Sequence, residues 1–236
     1  MEPTRLQVAS DRLLGEVQYG AAEHGNVVYS RPSQIVGLRR KELVVRFHDV
    51  CHLMGSGDGF WFAGRKLHSY LIRIVTNSNV SHCGILHRYA DKSDAIKLID
   101  IVEGIGGRHL DFYDEIKKYP GQYYWSPVNY TAWSEFRGDG SAEEGLRIVH
   151  KPYGRGAVIL QALTRCMLSR EIMYLFQDKI DRIMVGKQPF CSMGQSLWSE
   201  IGGGIDPVPG RSPWLTTPQD TWQSMLWMPD KYCLIP

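Results

Sequence analysis

The feature that most constrains the fold is a pair of apolar stretches joined by a short polar connection. Residues 80–87 alternate with a β-branched and aliphatic bias, and residues 96–102 are mostly aliphatic. Both patterns predict β-strands, and the short gap over residues 89–95 predicts an antiparallel hairpin. A hairpin is only marginally stable alone, so a larger sheet is expected around it.

Helical spacing predicts helices on both sides of this hairpin, which makes the expected fold class α+β. Apolar residues recur every three or four positions in residues 41–54 and 66–75. Further helices are predicted at residues 142–149, 158–183 and 191–201, with a last short one starting at Pro218. Further short strands are predicted at residues 26–29, 60–62 and 123–128.

The composition indicates a folded protein and excludes several classes of partner and location. The chain has 236 residues, of which 43% are hydrophobic and 22% charged, so disorder is not expected. A formal net charge of +2 gives no reason to predict a nucleic-acid partner. The sequence shows neither a secretory leader nor a run of 18 apolar residues. We therefore expect a protein that is cytoplasmic as synthesised and has no transmembrane segment.

The cysteines and histidines do not form a metal-binding or disulfide pattern. There are five cysteines, an odd and scattered set with no CxxC pair, and the eight histidines contain no HExxH spacing. We therefore predict no disulfide framework, no metal site and no cofactor. Four of the cysteines are expected to be small buried hydrophobes.

Cys191 is the cysteine whose sequence context favours a reactive thiolate. Pro189 precedes a helix-compatible run that a glycine triplet ends at residues 202–204, which places Cys191 in the first helical turn. Unpaired N–H groups and the helix dipole stabilise a negative sulfur at that position. The same N–H groups can hold an oxyanion during acyl transfer.

A thiol nucleophile also needs a base, and His82 is the best candidate. It lies in the first predicted hairpin strand, a rigid place for an imidazole. Glu103 follows the second hairpin strand and can accept a hydrogen bond from the ring if the strand register brings them together. His109 and Asp111 are the alternatives for this third role.

The order of these motifs resembles the permuted NlpC-type papain-like amidases, the YiiX/YaeF-like group. The matching segments are residues 57–62 (GDGFWF), 81–85 (SHCGI), 102–104 (VEG), 151–153 (KPY), 190–192 (FCS) and 218–220 (PQD). They cover roughly residues 55–225. Residues 1–55 lie outside the resemblance, and Met193-Gly194 stands where members of the group often have Glu-Leu.

The resemblance implies a fold and a set of site residues. The expected fold is papain-like, circularly permuted, with a small antiparallel sheet or half-barrel packed against the cysteine-bearing helix. A domain of residues 56–236 would follow an N-terminal extension or docking arm of residues 1–55, for which a docking partner is expected. The implied catalytic residues are Cys191, His82 and Glu103, and the implied substrate-binding residues are Tyr153, Ser81 and Ser192.

Three functions are compatible with this resemblance. The first is a cysteine hydrolase that cleaves an amide bond in peptidoglycan peptides, encoded by a bacteriophage and virion-associated or released at lysis. The second is an inactive structural or virion-associated scaffold, which Gly194 in the helix and the missing leader favour. The third is a lipid acyl hydrolase or acyltransferase.

Overall fold

The structure is a computed structural model that describes residues 28–29, 43–75, 78–89, 95–151 and 189–236. These residues form one eight-stranded mixed sheet with helices packed on it, an α+β architecture as predicted. The sheet is larger than the small antiparallel sheet expected from the sequence. The strands are β1 (Val28–Tyr29), β2 (Leu43–Arg46), β3 (Gly59–Gly64), β4 (His82–Arg88), β5 (Ile96–Val102), β6 (Gly106–Asp111), β7 (Gly121–Ser126) and β8 (Tyr232–Ile235).

The strand order across the sheet is β1-β2-β8-β7-β3-β4-β5-β6. All neighbouring pairs are antiparallel except β2 and β8, which run parallel. The predicted hairpin is confirmed: β4 pairs with β5 in a register that sets Gly84 opposite Asp100. Strand β6 then continues the antiparallel order and sets Arg108 opposite Asp100.

Six α-helices connect or cover these strands in the described ranges. They are α1 (Phe47–Val50), α2 (Leu67–Val75), α3 (Phe112–Lys118), α4 (Gly138–Leu146), α5 (Cys191–Leu197) and α6 (Pro218–Gln223). A π-helical turn, Trp198–Gly202, extends α5, and two 3-10 turns lie at Cys51–Leu53 and Pro213–Leu215. The helix predicted over residues 158–183 lies outside the described residues. None of the helices within the described ranges is both long and apolar enough to cross a lipid bilayer.

Alternating residues of the central strands build two apolar layers, one on each face of the sheet. Phe60 and Leu98 pack in a layer with Phe112 of α3. The neighbouring residues along the same strands, Trp61 and Ile99, belong to clusters on the other side. This period-two separation is what a sheet covered on both faces requires.

The boundary predicted at residue 55 does not coincide with a break in the structure. Strand β2 pairs with β8 inside the sheet, and Phe47 and Val50 of α1 are buried in the main apolar cluster. The single helix predicted over residues 41–54 is instead a strand followed by two short helical turns. Leu43 and Val45 alternate toward the core as strand residues, which overrides the helical spacing. A docking arm over the remaining N-terminal residues stays a prediction.

Asp58 anchors the entry to β3. Its carboxylate accepts hydrogen bonds from the Gly55 N–H at 2.7 Å, the Trp125 indole at 3.0 Å and the Val128 N–H at 3.1 Å. Three donors satisfy a buried carboxylate that would otherwise be costly. This bonding ties the start of β3 to the end of β7.

Candidate active site

His82 and Asp100 form a buried imidazole–carboxylate pair across the β4–β5 hairpin. The His82 Nε2 atom lies 2.8 Å from Asp100 Oδ2. Residues 82 and 84 point to the same face of β4, and Asp100 lies opposite Gly84, so His82 and Asp100 are diagonal neighbours. Gly84 has no side chain between them, which leaves this space to the imidazole and the carboxylate.

Arg108 and Glu115 hold the Asp100 carboxylate in place. Arg108 binds Asp100 through two bonds, Nε to Oδ1 at 2.9 Å and Nη2 to Oδ2 at 2.6 Å, and its Nη2 also donates to Glu115 at 3.0 Å. Asp100 is completely buried. Burial alone would raise the pKa of Asp100, but the hydrogen bonds from His82 and Arg108 outweigh it and lower that pKa. Asp100 therefore stays ionised and able to hold a protonated imidazole.

Cys191 meets the His82 imidazole at the end of the sheet. It is the first residue of α5, as predicted, and its thiol is close enough to the His82 ring for each group to shift the pKa of the other. Nε2 of that ring is bound to Asp100, which leaves Nδ1 as the second ring nitrogen. Phe60 contacts the ring edge-on, with centroids 6.3 Å apart, and limits its rotation.

The charges of this group favour a thiolate beside an imidazolium. Burial lowers the pKa of His82, but the negative sulfur of Cys191 and the bond to Asp100 outweigh it, and the pKa rises to about 10. A hydrogen bond from Cys83, followed by the charge of His82, lowers the pKa of the Cys191 thiol well below its ordinary value, against the effect of burial. Both shifts favour the charged form of the group concerned.

Cys83 is a member of this site that the sequence did not reveal. It was predicted to be a small buried hydrophobe, and it is fully buried in the same cluster as Cys191. Its thiol is close enough to the Cys191 sulfur and to Thr221 of α6 for both to shift its pKa. Burial and the neighbouring Cys191 charge raise the pKa of Cys83 well above its ordinary value. Cys83 therefore keeps its proton and donates it toward the Cys191 thiolate.

Replacing Cys83 with alanine is expected to make Cys191 less acidic, because the thiolate loses a neighbouring thiol that can donate a hydrogen bond to it. A hydrogen bond to a charged group contributes about 1.5–3 kcal/mol, so alkylation of Cys191 at about pH 6.5 should slow roughly tenfold or more. The measurement is the pH dependence of iodoacetamide labelling. Cys233→Ala, at a buried position of the same cluster, is the matched control. An unchanged profile in Cys83→Ala would rule out this role.

The carboxylate proposed from the sequence, Glu103, does not reach the imidazole. It is exposed in the turn after β5, whereas Asp100 occupies the position beside His82. The two alternatives are also engaged elsewhere. His109 lies 3.2 Å from His87, and Asp111 accepts the Asp114 N–H at the start of α3. The register of β4 and β5 thus brings Asp100, and not Glu103, beside the His82 ring.

The hydroxyls predicted to bind substrate are bonded to the protein's own main chain. Ser81 is buried, donates to the Phe62 carbonyl at 3.1 Å and accepts from the Gly64 N–H. Ser192 is completely buried and donates to the Thr216 carbonyl at 2.8 Å. Their role in substrate binding stays a prediction. Tyr153 lies outside the described residues.

The glycine that departs from the resembling group has a packing reason. A side chain at Gly194 would place its Cβ 2.6 Å from Ile101 and 2.8 Å from Trp198. Its absence lets α5 lie close on β5. One residue further, the Gln195 amide donates to the Gly84 carbonyl at 2.7 Å and fixes the helix to β4. Gly194 and Gln195 together seat Cys191 firmly against the strand that carries His82.

These residues offer the elements of nucleophilic acyl chemistry. Among the described residues, no group of three or more His, Cys, Asp or Glu side chains is arranged to hold a metal ion. The arrangement comprises an acidic sulfur, an oriented imidazole and an ionised carboxylate behind it.

Comparison with known proteins gives a weak structural likeness. No family model matches the chain. No curated protein matches it either. Among solved structures, the chain is similar to the metalloprotein yiiX from Escherichia coli O157:H7, DUF1105, with 14% sequence identity and a TM-score of 0.48. The match covers 74% of this chain and 95% of that one.

Proposed function

We propose that this chain is a cysteine hydrolase with Cys191 as nucleophile, His82 as base and Asp100 as the residue that orients His82. The observation that carries the proposal is the 2.8 Å bond between the His82 ring and the buried Asp100, with the Cys191 thiol at the start of α5 close enough to interact with the same ring. Three groups held in this order are what an activated thiol nucleophile requires.

The proposed reaction is acyl transfer to sulfur followed by hydrolysis. The Cys191 thiolate attacks a carbonyl carbon, and main-chain N–H groups at the start of α5 stabilise the oxyanion. The His82 imidazolium then gives its proton to the leaving amine or alcohol, and an acyl-enzyme remains. His82 next takes a proton from water, which attacks the thioester and releases the acid. Asp100 keeps the ring oriented in each step.

For the substrate, we propose an amide bond, with peptidoglycan peptides as the first class to test. A fatty-acyl ester or amide is the second class, because the same acyl chemistry applies to both. We also propose that the protein is encoded by a bacteriophage and is associated with the virion. The inactive-scaffold alternative loses the support of Gly194, since its lack of a side chain permits the packing of α5.

The test of this proposal is alkylation of Cys191 across pH, followed by mass spectrometry. An ordinary thiol with a pKa of about 8.5 reacts roughly fiftyfold more slowly at about pH 6.5 than at about pH 8.5. We expect Cys191 to lose far less of its rate, because its pKa is lowered. In His82→Ala the rate should fall off as for an ordinary thiol, because the charge that stabilises the thiolate is gone.

Two controls make the result specific. The urea-denatured protein gives the ordinary profile for the same peptide, and His87→Ala removes a histidine that lies outside the site. If native Cys191 followed the denatured profile, the sulfur would not be activated and the hydrolase proposal would fail.

A further inference from the structure

Helix α2 presents its apolar side chains to solvent instead of to the core. Four large residues of this helix are half-exposed or more: Leu67 (73%), Tyr70 (52%), Leu71 (50%) and Ile74 (57%). They recur at helical spacing and form one stripe, whereas a small polar residue of the same helix, Ser69, is buried. An amphipathic helix normally buries such a stripe, so its contiguous exposure marks a surface that binds something apolar.

The surroundings of this stripe are positively charged. Residues 59–82 contain Arg65, Lys66 and Arg73 and no Asp or Glu. Lys66 lies 5.7 Å from the centre of the Tyr119 ring, and Lys118 of α3 lies 5.6 Å from the same ring. Arg65, Lys66 and Lys118 are exposed. The stripe is therefore bordered by cations that favour an anionic partner.

Helix α2 lies at the end of the sheet that carries the site. It leaves β3 immediately after Gly64 and returns to β4 at His82, and Phe62 of β3 is paired with His82. Gln219 of α6 binds the return segment through the Asn79 N–H at 3.0 Å. The apolar stripe and the candidate catalytic imidazole thus share one end of the molecule.

We propose that α2 is an interfacial helix that seats this end of the protein on an anionic phospholipid surface. The apolar stripe enters the acyl region, while the neighbouring lysines and arginines contact phosphate groups. A short helix with exposed leucine, isoleucine and tyrosine and no acidic residue of its own has the chemistry that such a surface binds. This proposal concerns a binding surface and does not depend on the proposed hydrolase activity.

The test is cosedimentation of the full-length chain with vesicles of phosphatidylglycerol and, in parallel, of phosphatidylcholine. We expect binding to phosphatidylglycerol that weakens strongly between about 0.1 M and about 1 M NaCl, because salt screens the cationic border. The double variant Leu67→Ser/Leu71→Ser should bind at least tenfold more weakly. Ile74→Ser tests the stripe independently of those two leucines.

The matched control is Ile201→Ser, since Ile201 is 58% exposed compared with 57% for Ile74. It lies in the π-helical turn Trp198–Gly202, which packs against α4. This variant should bind like the wild type. Cys191→Ala should also bind normally, which separates surface binding from catalysis. Unchanged thermal melting of each variant checks that it is folded.

Three results would overturn the proposal. The first is no binding of the wild type to phosphatidylglycerol at low salt. The second is binding that the α2 substitutions leave intact. The third is that the wild type forms a dimer in analytical ultracentrifugation, the double variant is a monomer, and neither protein binds vesicles. In that case the stripe would be an interface between two copies of this chain.

Discussion

Replacing Cys191 with alanine is expected to lower hydrolysis by about 10⁴-fold or more, the scale seen when an enzyme loses its only nucleophile. The alanine side chain is smaller and apolar, and the position is buried at the start of a helix, so folding should survive. The measurement is product release from a panel: purified peptidoglycan, scored by new amino groups, and acyl esters and amides of increasing chain length. The first class that wild type cleaves and Cys191→Ala does not identifies the substrate.

Cys233→Ala is the control for this experiment, because it removes another buried thiol of the same cluster. It should retain wild-type turnover. Turnover that persisted in Cys191→Ala would assign the activity to another residue. A third outcome is that wild type cleaves no member of the panel although Cys191 alkylates as a thiolate. The proposed amide and ester substrates would then be wrong, but the conclusion that the Cys191 sulfur is activated would stand.

The second large effect is expected for Asp100→Asn. The substitution removes the charge that holds the His82 imidazolium, and a neutral amide can also favour the wrong ring tautomer, so turnover should fall by about 10²–10⁴-fold. It also leaves Arg108, only 12% exposed, with Glu115 as its described carboxylate partner. Breaking a buried ion pair typically costs about 3–5 kcal/mol, and we expect the lower end because Glu115 remains.

Glu103→Gln is the matched control, because it makes the same chemical change at an exposed carboxylate in the turn directly after β5. Its turnover and its urea midpoint should equal those of the wild type. The alkylation profile of Cys191 separates catalysis from stability: in folded Asp100→Asn the rate should decline at higher pH values than in wild type. Equal loss of turnover in Glu103→Gln would instead restore Glu103 to the site.

The local elements of the site were predictable from sequence because their signals are local. The strand at residues 96–102 has the bounds that the aliphatic run predicts. The start of α5 at Cys191 follows from Pro189 and the helix-compatible run behind it. Each of these signals depends only on residues close together in the sequence within one strand or helix. Hydrophobic periodicity and helix-capping patterns report on such residues.

The third member of the site was not predictable in the same way. Asp100 stands inside an aliphatic strand, and its role depends on lying opposite both Gly84 and Arg108. Register across strands is a property of the assembled sheet, and a shift of one residue would turn Asp100 to the other face. The contact of Cys83 with Cys191 likewise needs β4, α5 and α6 together. For α2, spacing predicted the helix but not which side of it faces solvent.

The parallel pairing of β2 with β8 has a consequence for biosynthesis. β8 lies between β2 and β7. Strands β1 and β2 therefore join the rest of the sheet only through β8. Leu43 can pair with Tyr232 only after the intervening chain has been synthesised, because Tyr232 lies 189 positions further along the sequence. Contacts between residues so far apart in sequence form slowly. Until β8 pairs with β7, the backbone N–H and C=O groups along that edge of β7 have no strand partner. We expect the nascent chain to rely on chaperones during this interval.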